Sequence, residues 1–428
     1  MKKNILKSIA GKSILLVSGY VLTIAISRYY GAAGSGIINY YFSLYAFIAV
    51  FFTAGMDTAL NYYLSSGKIS PQKISSFAFV ILVAVHIIVG LLILLQAIFY
   101  NVVVIPGHLV LFLLFITGIA VTNIFSALLN AEGRLFKYNI VLSLGQFILL
   151  TFLFYHFYNG IHASEQQFLY WLGATVYGSG LIVALMFFIN KKLFHFTGLL
   201  IEEKKMIFKA SIIFFITALL NLLLIRLDYW FVKHSCSNAD LGNYIQSSRF
   251  GQIALLLPGM ISYALFPDTV KKAEDGNTNN ITLLAKIYFY GAIFFCIIFM
   301  LCGSVVFPFL FGESFDNMPV IFTLSTPGII FMAFSYPYSI YFPAIQKIKV
   351  LIFSLLCTII FLVIVYNIIS PQNNVYYFTI ASSVGFMLYS IILLIAFCKR
   401  NHVKLISLFL VNTDEITRLR TIFSQSKF

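Results

Sequence analysis

Stretches of about twenty apolar, almost uncharged residues return about a dozen times between Ile9 and Phe397, with only short polar turns between them. A helix rises ~1.5 Å per residue, so each stretch is long enough to cross a hydrocarbon layer ~30 Å thick. The chain is 61% hydrophobic and only 10% charged, far more apolar than a water-soluble core requires. The stretches run over residues 9–29, 37–63, 77–100, 108–130, 138–158, 168–189, 207–232, 243–266, 281–311, 318–344, 347–369 and 375–397. Runs such as Leu91–Leu95 and Ile359–Val365 are apolar at every position, which excludes the alternating strands of a membrane barrel. The expectation is an all-α polytopic membrane protein with twelve transmembrane helices.

Charge sets the orientation. With the N-terminus in the cytoplasm, every Lys and Arg except Arg28, Arg226, Lys233 and Arg249 falls at an inner end or inner loop, as the positive-inside bias demands. Both termini are then cytoplasmic. The formal charge of +14 follows from topology and anionic headgroups, so it argues against nucleic acid as a partner and for membrane lipids. Lys2 and Lys3 precede an apolar segment too long for a signal-peptide core and without an A-x-A cleavage site, so the first span is expected to be retained. Five scattered cysteines with no C-x-x-C pair imply neither a disulfide framework nor a metal site.

The chain also repeats itself. The segment Ala54-Gly55-Met56 through Leu60 resembles Pro258-Gly259-Met260 through Leu265, with the glycines 204 positions apart. Gly118-Ile119-Ala120 and Lys137 lie 210 positions before Gly328-Ile329-Ile330 and Lys347. Offsets near half the chain imply two six-helix bundles, and six being even makes the repeat parallel about an axis along the membrane normal. The expected division is residues 1–195, a cytoplasmic linker at 196–204, a second bundle at 205–400 and a cytoplasmic tail at 401–428. Two such bundles around a central cleft have the layout of an alternating-access transporter.

Polar residues inside the spans mark the path. A charge at the bilayer centre costs ~2.5–3.5 kcal/mol on insertion scales, so it faces a cavity, a partner or the interface. Arg28 falls near the outer end of span 1, beside the small stripe Gly19, Thr23 and Ser27. In a regular span 2, Asn39, Ser43, Thr53, Asp57 and Asn61 share one face and line a wet path, although Asp57 also suits an interfacial carboxylate. In span 7, Thr217, Asn221 and Asp228 share a face while Arg226 points away from it. Arg249 lies high in span 8, followed by Gln252 and the helix-bending Pro258-Gly259, with Asp228 and Asp240 as candidate counter-ions. His86 and His156 sit alone on apolar helices, and Gly31, Gly34 and Gly36 read as a tight turn between helices and not a phosphate loop.

The segments Ile26-Ser27-Arg28-Tyr29-Tyr30-Gly31, Gly34-Ser35-Gly36-Ile37 and Ala54-Gly55-Met56 through Asn61-Tyr62-Tyr63 resemble the N-terminal signature of O-antigen (Wzx-type) flippases, polysaccharide exporters of the multidrug/oligosaccharidyl-lipid/polysaccharide (MOP) superfamily. Leu129 to Arg134, Asp228 with Ser237 to Tyr244, Arg249 to Pro267 and Phe311-Gly312 extend the likeness over about residues 5–400. The resemblance implies transport of a polyprenyl-diphosphate-linked oligosaccharide from the inner to the outer leaflet of a bacterial cytoplasmic membrane, for surface polysaccharide assembly. It makes Arg28 and Arg249 counterparts of lumen arginines, and together with the polar faces read above the expected substrate path comprises Arg28, Arg249, Asp57, Asp228, Asn39, Asn61 and Arg226; Asp57 matches no named position of the pattern. It further implies no catalytic residue, no metal and no cofactor, and a polysaccharide polymerase as an assembly partner. Arginine suits a diphosphate because its planar donors grip oxygens in pairs.

Two other classes compete. A drug/cation antiporter of the same superfamily uses a membrane-buried carboxylate, which Asp57 or Asp228 supplies. A membrane glycan polymerase or ligase needs a long outer loop with catalytic groups, and segments such as Asn101–Gly107 and Asn159–Gln167 are short.

Overall fold

The computed structural model describes residues 2–98, 109–189, 198–255 and 279–409. The described residues are almost wholly α-helical, with three short 3-10 turns and no strand. In chain order the helices are α1 (Lys2–Thr53), α2 (Met56–Ser65), α3 (Pro71–Ile98), α4 (Leu109–Ala131), α5 (Leu135–Tyr158), α6 (Glu165–Ile189) and α7 (Ile201–Ser235). They continue with α8 (described over 238–255), α9 (Asn279–Phe311), α10 (Met318–Ala344), α11 (Ile348–Ile369) and α12 (Val375–Asn401). Ten of the described helices are long and apolar enough to cross a membrane. The first two expected spans share α1, and expected span 8 is cut by the end of the described part of α8. The protein is an all-α polytopic membrane protein.

Two breaks reshape the first spans. Gly31 (φ 64°, ψ −173°) is the one non-helical residue inside α1 and splits it into two arms; Gly34 and Gly36 are helical, so the expected turn narrows to one residue. Ala54 (φ 46°) and Gly55 (φ 71°) then take consecutive left-handed conformations and separate α1 from α2. Span 2 is therefore not one regular helix. A Cβ at Gly55 would sit 2.3 Å from Ser211 O, so the close approach of α7, as well as the positive φ, requires glycine.

The chain divides into two compact units, Met1–Leu222 and Leu223–Phe428, with the boundary inside α7. In the first unit, Gly11 backs onto Phe136 and Gly19 onto Gln146, while Tyr29 Oη donates to Ile161 O at 2.8 Å and accepts from Ala163 N–H at 2.9 Å. The first arm of α1 thus runs in the same sense as α5. The second arm runs with α4: Phe42 and Tyr45 meet Phe115, and further along Met56, Leu60 and Tyr63 of α2 join Val121 to Leu129 in one core cluster. Gly118 backs onto Tyr177 and Phe125 onto Phe187, so α6 shares that sense. Because α3 packs Val85 and Val89 near Phe115 but Ile74 and Ala78 near Leu128, it runs the other way. Successive crossings therefore alternate, and Lys12, Lys68, Lys73, Arg134, Lys137, Lys204 and Lys205 collect at one end.

The second unit repeats the central packing. Gly328 of α10 backs onto Ser383 of α12, Ser390 Oγ donates to Phe331 O at 2.9 Å, and Tyr341 Oη donates to Asn401 Oδ1 at 3.1 Å; the two helices run in the same sense. Gly118 does the same for α4 and α6: a Cβ there would lie 2.7 Å from Tyr177 Cα, as one at Gly328 would lie 2.7 Å from Ser383 Cα. The glycine pair expected from the repeat occupies equivalent contacts, where a missing side chain lets two membrane helices touch backbone to backbone. Its companion pair cannot be compared, since Gly259 and Pro258 lie outside the described residues. So do residues 190–197 of the expected junction and 410–428 of the tail. Phe250 of α8 fills the middle of a ring cluster with Phe295, Phe299, Phe307 and Phe322.

Candidate functional site

A polar nest in the second unit is built around Asp228, which α7 buries to 3% exposure. Its Oδ2 accepts from Tyr244 Oη at 2.6 Å and its Oδ1 from the Tyr229 N–H at 2.9 Å. Tyr244 Oη also meets Ser382 Oγ at 2.6 Å, and Tyr366 Oη meets the same oxygen at 2.7 Å. Ser382 Oγ additionally lies 2.8 Å from Phe378 O. Four helices, α7, α8, α11 and α12, are thereby tied through one serine. A buried carboxylate is costly unless hydrogen-bonded, and the tyrosine hydroxyl and backbone amide supply that compensation.

Beside this nest lies a cavity lined by Asp228, Tyr244, Ser247, Gln252, Thr379 and Ser382 among others. Ser247 Oγ is fully buried and has no hydrogen-bond partner among the described residues. Arg226 reaches the same neighbourhood: its guanidinium stacks 4.8 Å from the Tyr229 ring centroid, hydrogen-bonds Tyr229 Oη, and lies 3.5 Å from Gln252 Oε1. The helical wheel separates Arg226 from Asp228, yet both engage α8, because Gln252 lies two turns beyond Tyr244. Arg249 is half-buried on α8. Asp240, one of its expected counter-ions, accepts from Ser237 Oγ at 2.7 Å, and the oxygens of Asp228 are held as described.

The first unit spreads the other expected site residues along two arms. Arg28 is exposed three residues before the Gly31 break, while Ser27 and Gly19 of the stripe beside it turn inward, Gly19 against Gln146. Asn39 is 4% exposed and donates from Nδ2 to Ser35 O at 2.8 Å; Ser43 Oγ donates to Asn39 O at 2.8 Å. Asp57 is half-buried in the first turn of α2, where a carboxylate also complements the helix dipole. Asn61 is half-buried and its Oδ1 accepts from Ser65 Oγ at 3.1 Å. The break at Ala54–Gly55 separates Asn39, Ser43 and Thr53, which are buried, from Asp57 and Asn61, which are half-buried, so the five-residue stripe falls into two parts. His86 is half-buried with Nδ1 2.8 Å from Leu82 O and Nε2 3.2 Å from Tyr177 Oη, while His156 Nδ1 lies 2.9 Å from Phe152 O.

Sequence reasoning chose Asp228 but missed Ser382, Tyr366 and Ser247, which complete its surroundings. The signal was present as runs of hydrophilic residues within apolar helices, Gln246-Ser247-Ser248 and Ser382-Ser383.

No protein-family model matches the chain, and no curated protein matches it. Solved structures do. An inward-facing multidrug-resistance MATE transporter of the MOP superfamily superposes with a TM-score of 0.71 at 15% identity, over 92% of this chain and 98% of that one. The lipid II flippase MurJ in an inward closed conformation gives 0.67 at 14% identity, over 99% of this chain and 93% of that one. A MOP superfamily transporter from Pyrococcus furiosus gives 0.63 at 14% identity, over 93% of this chain and 94% of that one. The fold is that of the MOP superfamily transporters.

Proposed function

We propose that this protein is a flippase that carries a polyprenyl-diphosphate-linked oligosaccharide from the inner to the outer leaflet by alternating access, serving surface polysaccharide assembly. The observation that carries this reading is the presence of Arg28 on α1 and of the half-buried Arg249 on α8 in a chain whose fold is like that of MOP transporters. Each arginine offers paired donors to phosphate oxygens, which suits an anionic cargo. The basic end of the first unit then faces the cytoplasm, with both termini inside a bacterial cytoplasmic membrane and a polysaccharide polymerase as an assembly partner. In an export assay with matched protein abundance, Arg28→Ala and Arg249→Ala each abolish transport, whereas Arg226→Ala retains a measurable share. Full export by both of the first two variants rejects the assignment.

A second reading is a MATE-like cation antiporter, and a specific observation favours it. Asp228 is the one fully buried acid among the described residues, and it shares a cavity with the unpartnered Ser247 hydroxyl. In proteoliposomes, antiport predicts that Asp228→Asn stops uptake of a cationic dye that the unsubstituted protein transports. The flippase reading predicts no dye transport by either form.

A further inference from the structure

On most of the first unit, the exposed side chains are apolar. At α3 these include Phe79, Val80, Val83, Ile87, Ile88 and Leu91, the pattern of a surface against lipid tails. The short helix α2 breaks that pattern. Its exposed positions are Thr58, Tyr62 and Ser65, spaced by four and three residues on one face, with the half-buried Asp57 and Asn61 alongside. Lys68, just past the helix end, places its Nζ 3.3 Å from Tyr62 Oη and 5.4 Å from the ring centroid.

Depth separates this face from an ordinary headgroup zone. Thr58 lies seven residues above Ser65, ~10 Å along the helix, a depth comparable to that at which α3 already exposes Phe79 and Val80. A carboxylate, an amide and a hydroxyl do not face hydrocarbon at that depth without cost, so this side of α2 faces water. Its other side is fully committed: Met56, Ala59, Leu60 and Tyr63 are packed into the core with α4.

We propose that this water-facing side of α2 is a docking face for the glycan of the cargo, with Tyr62 as the platform for a sugar ring, Asn61, Asp57 and Thr58 as hydrogen-bonding groups, and Lys68 holding the Tyr62 ring in place. The inference rests on the flippase reading and adds the part of the cargo that the arginines do not address. The chemistry fits carbohydrate in particular. Tyr62 is 47% exposed and presents a flat apolar surface rimmed by polar groups. The Asn61 oxygen is held by Ser65, leaving its amide N–H groups to donate to sugar hydroxyls, while the Asp57 carboxylate accepts from them. From Thr58 to Ser65 the face is ~10 Å long, which accommodates about two sugar rings. The backbone break at Ala54–Gly55 creates the site, because it starts a new helix whose polar face is independent of the buried Asn39 and Ser43.

The test uses the purified full-length protein and two probes, undecaprenyl diphosphate and undecaprenyl diphosphate carrying a disaccharide, examined with chitobiose and cellobiose as the sugar. The unsubstituted protein is expected to bind at least one glycosylated probe more tightly than the bare lipid. Tyr62→Ala and Asn61→Ala lose that increment, roughly five- to tenfold, while binding the bare diphosphate lipid as before. Tyr62→Trp keeps the increment, which separates loss of a platform from loss of fold. Equal affinity of the unsubstituted protein for bare and glycosylated lipid, or an increment that survives both alanine variants, overturns the docking face and leaves the flippase reading standing. Failure to bind either lipid overturns both. As a separate measure, Thr58→Cys is expected to gain labelling by a membrane-impermeant maleimide in inside-out vesicles over the unsubstituted protein, and Val80→Cys is not. Equal labelling of the two overturns the water-facing assignment.

Discussion

Ser382 shows how much one small side chain carries in an apolar setting. Its oxygen meets both Tyr244 and Tyr366, and Tyr244 in turn supports Asp228. Removing it strands the buried Tyr366 hydroxyl, at a cost of about 1–3 kcal/mol, while Tyr244 keeps Asp228 as its acceptor. Ser382→Ala is therefore expected to lower the unfolding temperature of the detergent-solubilised protein, and Ser382→Thr, which keeps the hydroxyl, to recover much of the loss. An unchanged midpoint for the alanine variant shows that Tyr366 finds another partner. The individual groups, Asp228 and the serine pair, were visible as hydrophilic interruptions in apolar spans. Their convergence was not, because Asp228 and Ser382 are far apart in sequence and meet only when α7, α8 and α12 pack.

At the scale of elements, the parallel pairs α4 with α6 and α10 with α12 depend on glycine. A methyl group at Gly118 would fall 2.7 Å from Tyr177 N and Cα, and one at Gly328 would fall 2.7 Å from Ser383 Cα, contacts with backbone that no rotamer change relieves. Gly118→Ala and Gly328→Ala are each expected to destabilise by about 1–3 kcal/mol through overpacking. Gly178→Ala, whose Cβ meets nothing within 4 Å, is expected to be neutral or mildly stabilising because alanine is the better helix former. Thermal unfolding of the three variants side by side reads this out; similar losses for all three remove the packing explanation. The matching role of Gly118 and Gly328 was legible as a sequence repeat. The break of α1 from α2 was not, since Ala54 carries no turn signal and adopts its left-handed conformation where α7 passes Gly55.

For the whole molecule, the sharpest test is sidedness. The basic residues of the first unit gather at one end, so Lys204→Cys is expected to react with an impermeant maleimide in inside-out vesicles and not in sealed cells. Cys236, between α7 and α8, interferes little, because burial, with Asp240 nearby, pushes its thiol up to about 11 and keeps it largely protonated at neutral pH. Labelling of Lys204→Cys in sealed cells reverses the orientation.

The sequence by itself determined that this chain is a helical membrane protein, roughly where its spans lie and that Gly118 and Gly328 are counterparts. Those properties follow from local quantities, namely apolar length, the side on which lysine and arginine fall, and spacing along the chain. Only the tertiary structure decided which polar residues meet. It drew Arg226 and Asp228 to the same helix despite their opposed positions on a wheel, and it cut the expected stripe of span 2 into a buried portion and a half-buried one. The physical reason is that apolar spans look alike from any side in sequence, whereas the few hydrogen bonds and glycine contacts that set their rotation and packing are made between residues distant along the chain.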